Sequence, residues 1–229
     1  MRTLYFDTTN GIAGDMVLNA LIDLSGDPGR VGEQIRRVED KIHEITGEGG
    51  HSHHHHDHSH FHRSYTEVIG IIEGLGLADR AENTAKSIYK VIAGAESKVH
   101  ESPLDDLHFH EVGRNRAIAN VVGVAICIDA IDADRIAYSK VCDGTGTVEC
   151  AHGTLSVPVP AVKAMLDEYD VNYVQTDFEG EMVTPSGLAM LIGIGAVSED
   201  EPEGEPVATA SAKGARSADN EGLVAFIYE

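Results

Sequence analysis

Leu4-Tyr5-Phe6-Asp7-Thr8-Thr9-Asn10-Gly11-Ile12-Ala13-Gly14-Asp15-Met16 is the stretch that decides the fold. Three apolar residues suited to a buried strand end at an acid, and a glycine-rich turn follows. Apolar positions then recur with helical spacing at Met16, Leu18, Leu21, Ile22 and Leu24. Strand, turn and helix in this order open a layered α/β architecture. Gly26-Asp27-Pro28 ends that helix, and Ile35, Val38, Ile42 and Ile45 mark the apolar stripe of the next one, which stops at Gly47.

The pattern continues outward. Ser64-Tyr65-Thr66-Glu67 is a capping-box sequence ahead of Val68, Ile71, Ile72 and Leu75. A helix is expected over 81–100, with Ile88, Val91, Ile92, Ala95 and Val99 on one face and Pro103 as its stop. A small-residue helix follows over 117–131, then a strand over 136–141. Asp143-Gly144-Thr145-Gly146 reads as a turn and Thr147-Val148-Glu149-Cys150 as a hairpin partner. Val157-Pro158-Val159-Pro160 and Thr184-Pro185 each open a helix, because Pro suits a first helical turn, and a strand is expected over 172–175. Strands and helices interleave, so the fold class is α/β, with α+β as the alternative: a layered sheet with flanking helices. Residues 1–197 are expected to form one domain. Residues 198–206 read as an acidic solvated linker, and 207–229 as a strand pair that completes the domain. Strand order is not fixed by the sequence.

Composition narrows the function classes. Hydrophobic residues make up 42% of the 229, enough for a core, but Trp is absent and aromatics are 5%, so Ala, Val, Ile and Leu must build it. Asp and Glu number 38 against 17 Lys and Arg, a net charge of −21. Such a surface repels phosphate backbones, which argues against nucleic acid as a partner, and it attracts cations. Cys127, Cys142 and Cys150 are odd in number and form no C-x-x-C pair, so a disulfide framework is not expected and a reducing cytoplasm is. The first residues reach Asp7 too soon for a signal-peptide core, and no apolar run approaches the roughly 18 residues of a membrane span.

Residues 47–62 carry the strongest chemical signal. His51, His53, His54, His55, His56, His58, His60 and His62 are eight of the 13 histidines, and they stand in a stretch of Gly, Ser, Asp and Glu with a single Phe. Such a stretch buries no apolar area and is expected to be a long disordered loop. Neutral imidazole ligates Ni, Zn and Cu, so the tract reads as a borderline-metal site whose affinity falls below about pH 6.5. An expression tag is disfavoured by the internal position, while a polar linker that binds metal incidentally is the plainer alternative. His108-Phe109-His110-Glu111 is the second constellation: in an extended segment both imidazoles share a face, with a carboxylate beside them. Asp7, Gly11, Gly14 and Asp15 form the third, a strand-end acid beside a glycine turn and a helix start, suited to a cation or a polar ligand. His152 beside Cys150, and Thr184 ahead of Pro185, complete the candidates; a helix N-cap alone accounts for Thr184.

Taken in order along the chain, these motifs resemble the LarC-type nickel insertion proteins of nickel-pincer cofactor synthesis. The matching segments are Leu4-Tyr5-Phe6-Asp7, Gly11-Ile12-Ala13-Gly14-Asp15-Met16, the histidine tract before Arg63-Ser64-Tyr65, and His108-Phe109-His110-Glu111-Val112-Gly113. Gly144-Thr145-Gly146-Thr147-Val148, Ala151-His152-Gly153, Val157-Pro158-Val159-Pro160 and Thr184-Pro185-Ser186-Gly187 follow. The resemblance implies a lyase of cyclometallase type. It would insert Ni2+ into a pyridinium bisthiocarboxylate mononucleotide through carbon–nickel and sulfur–nickel bonds, for lactate racemase-type enzymes. CTP with a divalent metal would enter through a C-terminal region or a separate chain, and self-association is left open. The loop histidines would recruit nickel; His108, His110 and Glu111 would take it or orient the precursor; Asp7, Asp15 and their neighbours would hold a second metal or polar groups. The family pattern has aspartates where this chain has Arg116 and Asn120, which favours a second reading as a nickel store or chaperone. A zinc-dependent hydrolase built on His108, His110 and Glu111 is the third reading.

Overall fold

The computed structural model describes residues 1–47, 63–150, 153–214 and 222–229. The expected metal ligands His51, His53, His54, His55, His56, His58, His60 and His62, and with them the expected loop, lie outside the described residues, as does His152.

In chain order the elements are β1 (Thr3–Asp7), α1 (Gly14–Leu24), α2 (Pro28–Thr46), β2 (Arg63–Ser64), α3 (Tyr65–Gly74) and α4 (Asp79–Val99). β3 (His108–Phe109), α5 (Asn115–Ile131), β4 (Arg135–Tyr138), β5 (Val141–Thr145), β6 (Thr147–Cys150), β7 (Gly153–Ser156) and α6 (Pro160–Glu168) follow. β8 (Tyr173–Glu179), α7 (Pro185–Gly193), β9 (Val197–Ser198), β10 (Ala208–Ala212) and β11 (Leu223–Tyr228) complete the described order. The mixed α/β content expected from the sequence is present.

The main sheet has the order β10-β11-β1-β4-β9. β1 lies at its centre, antiparallel to β11 and parallel to β4. Successive strand side chains alternate between faces. Leu4 and Phe6, with Ala225 and Ile227 from β11, therefore enter the same core as α1, α4, α5 and α7. α5 is its axis, with Ile118, Ala119, Val121, Val122, Val124, Ala125, Cys127 and Ile128 all buried. The opposite face carries a smaller cluster of Tyr5, Ala137 and Tyr228, with Phe226 against it. The acidic segment 198–206 is largely exposed, but it is tied to that face. Tyr5 donates to the Glu199 carbonyl (3.4 Å), Tyr228 Oη donates to Glu201 Oε1 (2.5 Å), and Arg135 pairs with Glu199.

Three expectations change. The strand over 136–141 is two strands in different sheets, β4 and β5. Thr8 breaks the run: its hydroxyl donates to the carbonyls of Ser139 (3.1 Å) and Lys140 (3.0 Å), which takes those residues out of the ladder. Asp143-Gly144 is no turn but the buried interior of β5, which pairs in parallel with β8. Gly144 is there for proximity, since a Cβ would stand 2.0 Å from the Gly180 carbonyl oxygen. β6 pairs with β7 rather than with β5. Among the described residues, no helix is long and apolar enough to cross a membrane.

Candidate functional site

The turn after β1, through Asn10 and Ala13, and the end of β8, through Phe178, line one cleft, on the side of the strands where ligands of α/β folds commonly sit. The β1–α1 turn is locked there against the start of α7. Ile12 N donates to the Met182 carbonyl (2.9 Å) and Thr184 N to the Ile12 carbonyl (3.0 Å). Gly11 adopts φ +87°, and a Cβ on it would lie 2.2 Å from the Met182 carbonyl oxygen. Gly14 packs against the Ser186 side chain, where a Cβ would stand 2.9 Å from Ser186 Oγ. Gly11 builds the wall by letting two backbones touch, and Gly14 by leaving room for the Ser186 side chain.

Asp143 organises the same wall from below. It is fully buried, its Oδ1 accepts from the amides of Gly144 (2.8 Å), Met182 (2.9 Å) and Val183 (3.1 Å), and its Oδ2 from Tyr173 Oη (3.0 Å). Burial, then the Asp143 charge, raises the Tyr173 hydroxyl far above the usual phenol range, so it stays a donor.

The opposite wall is set by Phe109. It is buried between Tyr65 (6.4 Å between rings) and Tyr89 (6.0 Å), while Tyr89 Oη donates to the Val112 carbonyl (2.9 Å) and Arg63 Nη1 to the Gly113 carbonyl (2.7 Å). With Phe109 pointing inward, His110 is turned into the space between the walls.

Between the walls lies a cleft of about 420 Å³. Asp15, Glu96, Glu111 and Glu181 bring four carboxylates to it, His100 and His110 bring two imidazoles, and its described lining contains no Lys or Arg. Met16, Met182 and Cys150 add sulfur, and Val99, Val148, Leu155, Val159 and Phe178 give an apolar wall. α1, α6 and α7 all begin at its edge, which points the positive ends of three helices toward it. The carboxylates suit a ligand of cationic character, the apolar wall suits its less polar part, and the helix starts suit an anionic group.

A family model described as nickel insertion protein matches residues 4–227. The chain belongs to the nickel insertion protein family. A pyridinium-3,5-bisthiocarboxylic acid mononucleotide nickel insertion protein from Acetivibrio thermocellus is 38% identical over 214 residues, 83% of this chain and 51% of that protein. A putative nickel insertion protein from Methanococcoides burtonii is 36% identical, covering 91% of this chain and 54% of that protein. One from Alkaliphilus metalliredigens, named as the first is, is 34% identical over 83% of this chain and 52% of its own length. The chain spans about half the length of these relatives. No solved structure matches it.

Within this family member the expected residues divide. Asp15, His110, Glu111 and Thr184 line the cleft. Thr184 Oγ1 also accepts from Gly187 N (3.2 Å), so the N-cap role is present as well. His108 is exposed and pairs across to Ser64, away from the lining. Asp7 Oδ1 accepts from Thr9 N (3.0 Å), Thr9 Oγ1 (2.6 Å) and Ser139 Oγ (3.3 Å), and so acts as a turn brace. Gly11 and Gly14 shape the wall behind the cleft. Arg116 and Asn120 sit on α5 and do not line it. Glu96, His100 and Glu181 escaped the sequence reading, because none stands in a recognisable motif; His100 with Glu96 four residues before it looks like any surface pair.

Proposed function

We propose that this chain is the nickel-handling part of a nickel insertion protein and that its cleft holds pyridinium-3,5-bisthiocarboxylic acid mononucleotide while nickel enters it. One observation carries the reading: imidazoles, carboxylates and sulfur-bearing side chains meet a broad apolar wall in a single cleft of about 420 Å³. Nickel is cargo here, a substrate rather than a resident cofactor. Imidazole and soft donors suit it, and the carboxylates raise its local concentration. The pyridinium ring would lie on the apolar wall, its positive charge matched by Asp15 and Glu181, with its phosphate near the helix starts. His110 and Glu111 would face the incoming metal. The histidine tract would recruit nickel: its sequence rejoins the described chain at Arg63, whose guanidinium holds the Gly113 carbonyl three residues beyond His110.

CTP with a divalent metal would act through a further region, on this chain or another, and the product would supply lactate racemase-type enzymes. The overall step is that of a cyclometallase, a lyase, working in a reducing cytoplasm where the cysteines stay free. The decisive experiment follows nickel incorporation into the precursor by mass spectrometry, with the chain alone and with a relative's CTP-binding region plus CTP. His110→Ala and Glu111→Gln should each lower product formation at least about tenfold, equivalent to roughly 1.4 kcal/mol of barrier. Undiminished product from the double variant would remove the cleft from the reaction. Tight nickel binding with no product under any condition would instead mark a nickel store or chaperone, the reading that Arg116 and Asn120 favour.

A further inference from the structure

We infer that His100 and His110 together form a two-imidazole docking pair for a borderline divalent metal, nickel above all, with Glu96 as the residue that positions His100. The inference rests on the reading of the cleft as the nickel-handling site and adds the ligands that hold the ion before it is handed over.

The two rings come from separate elements. His100 caps the C-terminus of the 21-residue α4, and His110 follows β3. They meet at the cleft with ring centroids 5.6 Å apart and planes 49° apart. Two imidazoles bound to one ion at about 2.0–2.1 Å place their centroids roughly 4.5 to 6.3 Å apart, from a cis to a trans arrangement. The observed separation falls inside that range.

Three further features act in the same direction. Glu96 Oε2 lies 3.3 Å from His100 Nε2. A carboxylate on one ring nitrogen fixes the ring and favours the tautomer with its lone pair on the other, the usual support of a metal-bound histidine. The carbonyl end of α4 carries the negative end of the helix dipole, which favours a cation beside His100. Glu111 adds a carboxylate to the same lining.

Among the described residues, no group of three His, Cys, Asp or Glu side chains is arranged to hold a metal ion. A closed set of protein ligands would retain nickel, whereas two imidazoles leave coordination positions for the two sulfur groups of an incoming bisthiocarboxylate. Nickel accepts square-planar sets of nitrogen and softer donors, so the exchange needs no change of metal preference.

The test uses the whole chain with the eight tract histidines replaced by serine, which leaves His43, His100, His108, His110 and His152. Ni2+ is titrated calorimetrically, and the imidazole ring signals are followed by NMR. One equivalent should bind, and the paramagnetic ion should broaden the rings of His100 and His110 while sparing His43. His100→Ala and His110→Ala should each weaken binding at least tenfold, and Glu96→Gln a few-fold. The NMR readout keeps the test decisive even if an alanine variant folds poorly. Failure of the tract-free chain to bind nickel, broadening confined to other histidines, or undiminished affinity in both alanine variants would overturn the pair. Docking at these rings with no nickel inserted into the precursor would remove the insertion reading alone. Insertion at full rate by His100→Ala would remove the docking pair alone.

Discussion

At the scale of single residues, the side chains that shape the cleft are mostly hidden behind it. Asp143 is the clearest case. Removing its carboxylate leaves three amides, two of them in buried bonds, and the half-buried Tyr173 hydroxyl without their acceptor. Asp143→Ala should therefore lower unfolding free energy by about 3–5 kcal/mol in a urea titration, and Tyr173→Phe by only about 1 kcal/mol. Gly11→Ala combines a left-handed backbone with a collision against Met182. It should cost at least about 2 kcal/mol in the same measurement and, on the proposed function, reduce precursor binding by displacing the α7 start. The sequence made Gly11 and Gly14 visible because glycines before a helix are unusual enough to notice. It concealed Asp143, because Asp-Gly is also a turn signal and only the three-dimensional approach of residues 180–183 gives it another meaning. His100 was concealed for a different reason: its partner His110 is on another element.

At the scale of elements, local chemistry was legible wherever it was self-contained. The capping box at α3 forms as the sequence specified. Ser64 Oγ accepts from Glu67 N (3.2 Å), and Glu67 Oε2 accepts from Ser64 N (2.7 Å). The Ser64 amide first, and then the Ser64 hydroxyl, which also donates to Glu67 Oε2 (3.0 Å), hold the Glu67 carboxyl below the usual range. A lowered folded-state pKa means that the contribution is present above the unfolded value of about 4.5 and is lost as pH falls through the folded value. Ser64→Ala should cost about 1 kcal/mol at neutral pH, and the difference between variant and parent should shrink in acid, as thermal melts at two pH values would show. Since Ser64 opens α3 beside the strand that carries His108, the same variant should also loosen the segment that presents His110. The strand over 136–141 was misjudged because nothing in its own residues reveals Thr8, more than a hundred positions earlier, drawing Ser139 and Lys140 out of line.

At the scale of the whole molecule, the interleaving of strands and helices was readable, but the strand order was not, because the central strand takes its partners from distant segments. One global property follows from the tyrosines. Burial raises the hydroxyls of Tyr89, Tyr173 and Tyr228, the last to about 12. The folded state then holds these protons more tightly than the unfolded chain. Their stabilisation is complete below about pH 10 and is lost as pH climbs toward the folded values. An alkaline titration read by phenolate absorbance and circular dichroism should show these three ionising together with unfolding, above about pH 11. Tyr228→Phe should remove its share of the effect and release the acidic strap held by Glu201. The pairing of residues 3–7 with 224–228 has a further consequence, for the ribosome. The antiparallel neighbour of β1 is made some 220 residues after it, roughly 10–45 s at ordinary synthesis rates. Through that interval one edge of an apolar strand has no native mate. The nascent chain is therefore a natural client for chaperones, and slowing translation ahead of β11 should raise aggregation more than slowing it after.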